Sequence, residues 1–216
     1  MQLILPLLAA LAAASGDSLE IRYVGNAGFE LYDGSTTILI DLPYESGAFD
    51  LMTYDPRDIR ARGRTVSVIT HRHVDHFSPA LFAPTAWAVY GPSEVTAALP
   101  RDRVLDGTEQ TVGEFAIQRF ATRHRDTEHY SYLIMWRGRH LYFIGDTEDP
   151  THMLSMRSLD ILFITPWLTC AAERTGRAVD ARRVILHHQF PDRRLQVCGT
   201  PEVVTQGQTF SVGPAA

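Results

Sequence analysis

The chain has 216 residues, 20 basic and 25 acidic side chains and a formal net charge of −5. This length suits one compact domain with a sizeable core and is too short for two. The acidic balance argues against nucleic-acid binding, which needs a basic surface. Every basic side chain is an arginine, which excludes mechanisms that need a Schiff-base lysine, a P-loop lysine or a Ser-Lys dyad.

An apolar run, residues 3–14, opens the chain and ends in the small residues Ala12-Ala13-Ala14-Ser15. The run is too short to span a bilayer and is typical of a secretory signal peptide, although only the α-amino group supplies positive charge before it. A buried N-terminal helix is the alternative. We expect residues 1–15 to be a leader and residues 16–216 to form the mature domain. No later segment is apolar enough to span a membrane, so we expect a periplasmic or secreted protein without stable membrane insertion.

The remaining chain predicts a strand-rich domain with short helices between the strands. Apolar runs bounded by turn residues indicate strands at 19–24, 28–32, 36–40, 65–70, 86–90, near 104, and at 115–121, 131–136, 139–144, 159–164, 184–186 and within 203–212. Capping residues and composition indicate helices that begin at Ser78 and at Ser93, and others near 150–156 and 178–183.

The strongest local signal is the segment His71-Arg72-His73-Val74-Asp75-His76, directly after the strand predicted at 65–70. A buried strand holds the base of such a loop rigidly, while the loop can turn successive side chains inward. Surface histidines and a capping aspartate are the alternative. Four side chains of metal-ligand type in six positions instead favour a site for one or two cations.

Three more candidate positions follow predicted strands. His124 comes after residues 115–120, Asp146 after residues 141–144, and His187-His188 after residues 184–186. Loops at strand ends commonly build binding sites. Asp146 in Gly-Asp-Thr would by itself indicate only a turn. Adjacent strand residues point to opposite faces, so we expect only one of the two adjacent histidines to face the site, and favour His188 over His187.

The H-x-H-x-D-H pattern resembles the signature of the metallo-β-lactamase-fold hydrolases, and the later candidates occur in that family's order. Residues 23–29 and 38–41 resemble the first strands of the branch that includes ascorbate-phosphate lactonase. The resemblance covers nearly all of the chain after the leader. It implies a single-domain α+β or α/β fold, the four-layer αββα sandwich.

The resemblance also implies roles for individual residues. His71, His73 and His124 would hold one metal, Asp75, His76 and His188 a second, and Asp146 would bridge the two. His129 competes with His124, but the longer separation between His124 and Asp146 fits the family better. We therefore expect His129 to be a substrate contact or a surface histidine. Asp41 is similar to a carboxylate that steadies the histidine loop, with a turn or capping role as the alternative.

Taken together, the resemblance implies an exported hydrolase with two divalent cations. Zinc suits the imidazole and carboxylate donors best, and manganese and iron also fit them. A metal-bridging hydroxide would cleave a small ester, lactone or phosphoester, with Asp75 relaying a proton, and β-lactams are a secondary substrate class. We expect a small-molecule substrate and no nucleic acid. The alternatives are a non-catalytic metal-binding scaffold and a mono-iron oxidoreductase using His71, His73 and Asp146.

The two cysteines, Cys170 and Cys198, fit an exported protein with one disulfide. Two buried free thiols are an equally good interpretation. Neither cysteine lies in a C-x-x-C pattern or at a ligand position of the family, so a redox or metal-thiolate role is not expected.

Overall fold

The structure is a computed structural model that describes residues 17–97 and 99–215, apart from the side chain of residue 172. The expected leader, residues 1–15, lies outside the described residues. Among the described residues, no helix is long and apolar enough to cross a membrane.

The first of two mixed sheets has six strands in the order β13-β1-β2-β3-β4-β5. These strands are β1 (Leu19–Gly25), β2 (Gly28–Tyr32), β3 (Thr36–Ile40), β4 (Arg64–Val68), β5 (Ala88–Tyr90) and β13 (Thr209–Val212). Pairing is antiparallel from β13 to β3 and parallel from β3 to β5. Every residue of the parallel strand β3 is buried, and so is every residue of β4 after Arg64, because both faces of these strands are covered.

The second sheet has seven strands in the order β12-β11-β10-β9-β8-β7-β6. They are β6 (Glu109–Val112), β7 (Phe115–His124), β8 (Thr127–Trp136), β9 (Arg139–Phe143), β10 (Leu159–Ile164), β11 (Ala181–Leu186) and β12 (Glu202–Val203). Pairing is antiparallel from β6 to β9 and parallel from β9 to β12. Each sheet therefore combines an antiparallel half with a parallel half.

The main core lies between the two sheets, where inward-facing side chains of both sheets interdigitate. Phe143 and Phe163 stack at 4.0 Å between ring centroids, and the edge of Phe29 from the first sheet meets Phe163 at 4.7 Å. Such aromatic contacts between the sheets add directional packing to the burial of apolar area.

The outer faces of both sheets carry short helices and loops. The helices are α1 (Pro79–Phe82), α2 (Ser93–Thr96), α3 (Thr151–Ser155), α4 (Pro166–Thr169) and α5 (Ala171–Thr175), with 3-10 turns at Ala48–Asp50, Pro56–Asp58 and Arg101–Arg103. Residues of α3 and α4 pack on the second sheet. Residues of α1 and α2 form a separate cluster with Ile69 and Val89 beside the first sheet. The expected four-layer sandwich is confirmed, with outer layers of single-turn helices and loops.

Two of the expected elements are wrong in type or place, and two observed helices were not expected. Residues 178–183 were expected to be helical, but β11 begins at Ala181 and pairs with β10 in parallel register. This long-range pairing overrides the local helix signal. The strand expected near residue 104 is a 3-10 turn with one isolated bridge between Val104 and Val89, and the strand in this region is β6. The short helices α4 and α5 have no counterpart among the predicted elements.

Candidate metal centre

The candidate residues gather at one edge of the sandwich. The parallel strands β3, β4, β9 and β11 end there, and the loops that follow them carry Asp41, residues 69–76, Asp146 and His187-His188. The carboxyl ends of parallel strands are the usual place for ligand sites in sheets of this type. His124 reaches the same edge as the last residue of β7.

Asp41 supports the histidine loop, residues 69–76, through contacts with Thr70 and His76. Its carboxylate accepts hydrogen bonds from the backbone N–H of Thr70 at 2.7 Å and from the Thr70 hydroxyl at 2.9 Å. It also lies 2.8 Å from Nδ1 of His76. This contact fixes the His76 ring so that Nε2 points away from Asp41 and into the site, which is the steadying position expected for Asp41.

One group of candidate ligands consists of His71, His73 and His124. Nε2 of His71 lies 2.9 Å from Nδ1 of His73, and the rings of His71 and His124 are 4.8 Å apart. Nδ1 of His124 lies 3.2 Å from Oε1 of Glu148, while its Nε2 is buried with no hydrogen-bond partner among the described residues. The three rings therefore present nitrogen atoms to a common point.

The second group consists of Asp75, His76, Asp146 and His188. Nε2 of His76 lies 3.3 Å from Oδ2 of both Asp75 and Asp146. Nε2 of His188 lies 3.3 Å from Oδ2 of Asp75 and 3.0 Å from Oδ2 of Asp146. Within each group, the atoms available as ligands lie within 4.8 Å of one another.

The hydrogen-bonding state of these atoms fits bound cations. Among the described residues, Nε2 of His76, His124 and His188 and Oδ1 of Asp146 are buried without a hydrogen-bond partner. Leaving such a group unsatisfied costs about 1–3 kcal/mol, so native structures rarely cluster several of them. Ring nitrogens and carboxylate oxygens that converge in this way can share a cation once the imidazoles are deprotonated. Imidazole and carboxylate donors suit zinc and related divalent metals.

The charges of the second group stabilise one another. Burial alone would lower the pKa of His76, but Asp146, Asp75 and Asp41 raise it well above its usual range. Burial would likewise raise the pKa of Asp146, and His188 and His76 instead hold it well below its ordinary value. In the first group, burial and the neighbouring His76 hold the pKa of His71 well below normal, so its ring is neutral and offers a lone pair.

His129 lies beneath the centre, and the interpretation of it as a surface histidine is wrong. The residue is buried, and burial lowers its pKa to about 3. Its Nε2 accepts a hydrogen bond from the backbone N–H of Asp146 at 2.9 Å, and its Nδ1 lies 2.7 Å from the hydroxyl of Thr122. Both ring nitrogens are thus engaged, and the residue supports the turn that carries Asp146.

The two adjacent histidines near the C-terminus have different environments. His188 adopts a left-handed conformation with φ of 55°, and its backbone N–H donates to the carbonyl of Asn26 at 2.8 Å. Its ring joins the second group. The ring of His187 instead meets Phe29 edge-on in the core, with 6.3 Å between centroids. The structure therefore brings His188 to the candidate centre and leaves the alternative, His187, outside both groups.

Three residues that support the centre were not found from the sequence. The side-chain amide of Asn26 donates to the Asp75 carbonyl at 2.8 Å, and Glu148 contacts His124 as described above. The indole N–H of Trp167 donates to the carbonyl of Thr147 at 3.0 Å, and its ring lies 5.1 Å from that of His188. The sequence marks Asn26 only as a turn residue and Trp167 only as an aromatic residue that could line a cleft or belong to the core, and it gives no signal for Glu148.

A cavity of about 580 Å³ opens over the two groups. His73, Asp75, His124, Asp146 and His188 form its floor. Its walls consist of Phe49, Leu51, Arg125, Glu148, Trp167, Leu168, Arg174 and Phe190. The candidate centre is therefore accessible to a small molecule.

A disulfide joins Cys170 to Cys198, which settles the choice between a bridge and free thiols. The bond links the end of α4, which carries Trp167, to the segment that follows His188. The backbone N–H of Cys198 also donates to the hydroxyl of Thr169 at 3.0 Å. Two segments that line the cavity are thereby tied together.

The family of the chain follows from comparison with known proteins. A family model described as the beta-lactamase superfamily domain matches residues 20–173. The chain belongs to the beta-lactamase superfamily. This superfamily member is 25% identical over 152 residues to a UPF0173 metal-dependent hydrolase of Ruegeria sp. (strain TM1040). The match covers 60% of this chain and 64% of that relative, so the chain spans less than two thirds of its length.

Two solved structures share this fold over most of the chain. The metallo-beta-lactamase fold protein YhfI from Bacillus subtilis has a TM-score of 0.66 at 13% identity, covering 91% of this chain and 100% of that one. Igni18, a metallo hydrolase from Ignicoccus hospitalis, has a TM-score of 0.64 at 17% identity, covering 90% and 98%. At these identities the likeness shows a shared fold.

Proposed function

We propose that the protein is a metal-dependent hydrolase with two divalent cations, most suitably zinc. His71, His73 and His124 would hold one cation, Asp75, His76 and His188 the other, and Asp146 would contact both. The observation that carries this proposal is the set of buried, unpartnered ligand atoms on His76, His124, Asp146 and His188, converging beneath an open cavity. The names of the metal-dependent relatives support it.

When bound, such cations would lower the pKa of a coordinated water from 15.7 to roughly 7 and would stabilise negative charge on the substrate oxygen. The side chains of the protein would position the metal ions and transfer protons during the reaction. Asp75 lines the cavity, and its pKa is held far below the usual range: burial would raise it, but His76 and His188 lower it more. We propose that Asp75, which lines the cavity, relays a proton during cleavage.

The substrates we propose are small esters, lactones and phosphoesters, with β-lactams as a secondary class. The cavity is large enough for a small organic molecule and is open to solvent at its mouth, where Phe49 is 66% exposed. We propose no nucleic-acid partner, because the chain carries a net charge of −5.

The test is hydrolysis by the purified chain before and after metal removal. We expect turnover of at least one chromogenic ester, lactone, phosphodiester or β-lactam, loss of turnover with a chelator, and recovery with zinc, manganese or iron. Bound metal without turnover of any substrate class would favour the non-catalytic scaffold. A single iron with oxygen-dependent chemistry would favour the oxidoreductase.

We further propose that the protein acts outside the cytoplasm. The disulfide between Cys170 and Cys198 supports this location, because such bonds persist mainly in oxidising compartments. Material from the native source should begin near Ser15 or Gly16, as measured by mass spectrometry. An intact segment of residues 1–14 on exported material would contradict the leader, and reduced cysteines in native material would contradict the location.

A further inference from the structure

The cavity over the candidate centre has two apolar walls. Phe49 and Leu51, from the long loop between β3 and β4, stand on one side. Trp167, Leu168 and Phe190 stand on the other, on the segments that the disulfide joins. Predominantly apolar walls with a few polar groups are typical of sites that enclose the carbon skeleton of a small ligand.

Phe49 occupies an unfavourable position for an aromatic residue. Phe49 has a left-handed φ of 54°, and 66% of its surface is exposed. The following residue, Asp50, is also left-handed, with φ of 62°. A residue with a bulky side chain rarely adopts this backbone conformation. An exposed aromatic ring also lacks the stabilisation that burial would provide. Strain of this kind clusters at ligand sites, where the surrounding structure maintains it. The conformation places Phe49 at the cavity wall, where a ligand would cover the ring.

Two exposed arginines complete the wall. Arg125 directly follows His124 in the two-residue turn between β7 and β8 and has φ of 41°. Arg174 lies on α5, and its guanidinium makes one long hydrogen bond of 3.4 Å to the carbonyl of Trp167. Neither guanidinium forms an ion pair with any described residue, whereas Arg72 and Arg183 pair with Glu94 and Glu202 at 2.9 and 2.8 Å.

The walls carry two guanidinium groups against one carboxylate, that of Glu148, whose Oε1 contacts Nδ1 of His124. A cleft with an excess of one sign of charge attracts ligands of the opposite sign and raises their local concentration. Arginine in particular recognises carboxylate and phosphate through its paired N–H donors. The unpaired state of both guanidinium groups therefore leaves donors available for such a ligand.

We propose that the substrate carries an apolar body and a separate oxyanion, an inference that rests on the proposed hydrolase function. The apolar body packs between Phe49 and Trp167, and the oxyanion, a carboxylate or a phosphate, contacts Arg125 and Arg174. The bond to be cleaved then lies over the metal ligands on the floor. Neutral esters of the same size are poorer substrates.

A binding measurement tests this without turnover. The fluorescent probes are 1-anilinonaphthalene-8-sulfonate and its neutral counterpart N-phenyl-1-naphthylamine, which share one apolar body. We expect the full-length, metal-loaded protein to bind the sulfonate more tightly. R125Q/R174Q should weaken sulfonate binding by about tenfold and leave the neutral probe unchanged. F49A should weaken both probes by about fivefold. R64Q, at the opposite end of β4 from the histidine loop, is the matched control and should change neither.

Competition and hydrolysis complete the test. Hexanoate and hexyl phosphate, as competitors of the sulfonate probe, distinguish a carboxylate from a phosphate, with hexanol as the neutral control. In hydrolysis, the mono-4-nitrophenyl ester of adipic acid should exceed 4-nitrophenyl hexanoate in kcat/KM, and R125Q/R174Q should abolish that preference.

The outcomes separate this proposal from the proposed function. Arginine-dependent binding of the sulfonate without hydrolysis of any ester would support the ligand class and contradict the hydrolase. Equal binding of both probes, or unchanged sulfonate binding in R125Q/R174Q, would overturn the ligand class even if the protein hydrolyses neutral esters. Unchanged binding of both probes in F49A would overturn the role of Phe49.

Discussion

At the residue scale, the contacts of each ring nitrogen distinguish a candidate ligand from a supporting histidine. Nε2 of His124 has no hydrogen-bond partner among the described residues, whereas both nitrogens of His129 are engaged beneath Asp146. Sequence separation favoured His124 as the ligand, and the structure places His124 beside His71 and His73 and His129 outside both groups. The supporting role of His129 depends on a long-range contact that spacing alone does not show.

Replacing these two histidines should give opposite results. H124A should lose the metal of the first group, with most of the turnover. H129A should keep both metals but lower the free energy of unfolding by about 2 kcal/mol, because the backbone N–H of Asp146 loses its buried acceptor. Elemental analysis and urea unfolding of both variants provide the measurements. Metal loss in H129A together with full occupancy in H124A would reverse the assignment.

Glu148 should act through His124 and not by direct ligation. Its carboxylate contacts Nδ1 of His124, on the opposite side of the ring from the unpartnered Nε2. We expect E148A to weaken metal binding at the first group by about 10–100-fold, the usual effect of losing such an orienting contact. E148Q keeps an oxygen acceptor and should lose much less. Equal affinities in the wild type and E148A, measured by competition with a chelator, would rule out this role.

At the scale of elements, the sequence predicted best where the pattern is local. β2 and β3 begin and end at the predicted residues, between the predicted turns, and β10 spans the predicted residues 159–164, an apolar segment interrupted only by Asp160. Residues 184–186 of β11 were predicted as a strand, but residues 181–183 were predicted to be helical, because Arg182 and Arg183 are polar and only pairing with β10 makes this part a strand. The helices α4 and α5 are single turns, too short for periodicity to reveal.

The disulfide is the element-scale feature with the clearest energetic consequence. It closes a separation of 28 residues between α4 and the segment after His188. The loop-entropy argument predicts that C170A/C198A lowers the free energy of unfolding by about 3.5 kcal/mol. Urea unfolding of the oxidised protein and the variant measures this difference. A change smaller than about 1 kcal/mol would contradict the loop-entropy argument for this disulfide.

At the scale of the whole molecule, the centre forms because strand ends distant in sequence meet at one edge. The order of the ligand-type residues was readable from the sequence, because each follows an apolar run. Asn26, Glu148 and Trp167 were not, because their roles arise only when the turn after β1, the loop after β9 and α4 pack around the centre. The types and order of the residues therefore predict the candidate metal ligands. The packing of the two sheets determines which other residues position those ligands.

Asp146 connects the two halves of the centre, and its loss should affect both. Oδ2 of Asp146 lies beside His76 and His188, and its buried Oδ1 has no hydrogen-bond partner among the described residues. In D146A, a carboxylate that screens both cations is removed, so we expect metal occupancy of both groups to fall together. D160N, a change at a carboxylate that pairs with Arg139 away from the centre, is the control. Loss of one metal alone in D146A would contradict a shared carboxylate.

The central claim is that seven side chains form one two-metal centre, and the number of tightly bound divalent ions per chain tests it most directly. The purified, unmutated protein, saturated with zinc and then dialysed against metal-free buffer, can be analysed by inductively coupled plasma mass spectrometry against its protein concentration. Our account predicts two ions per chain, since each group offers at least three ligand atoms within 4.8 Å of one another. One ion or none after saturation would contradict it.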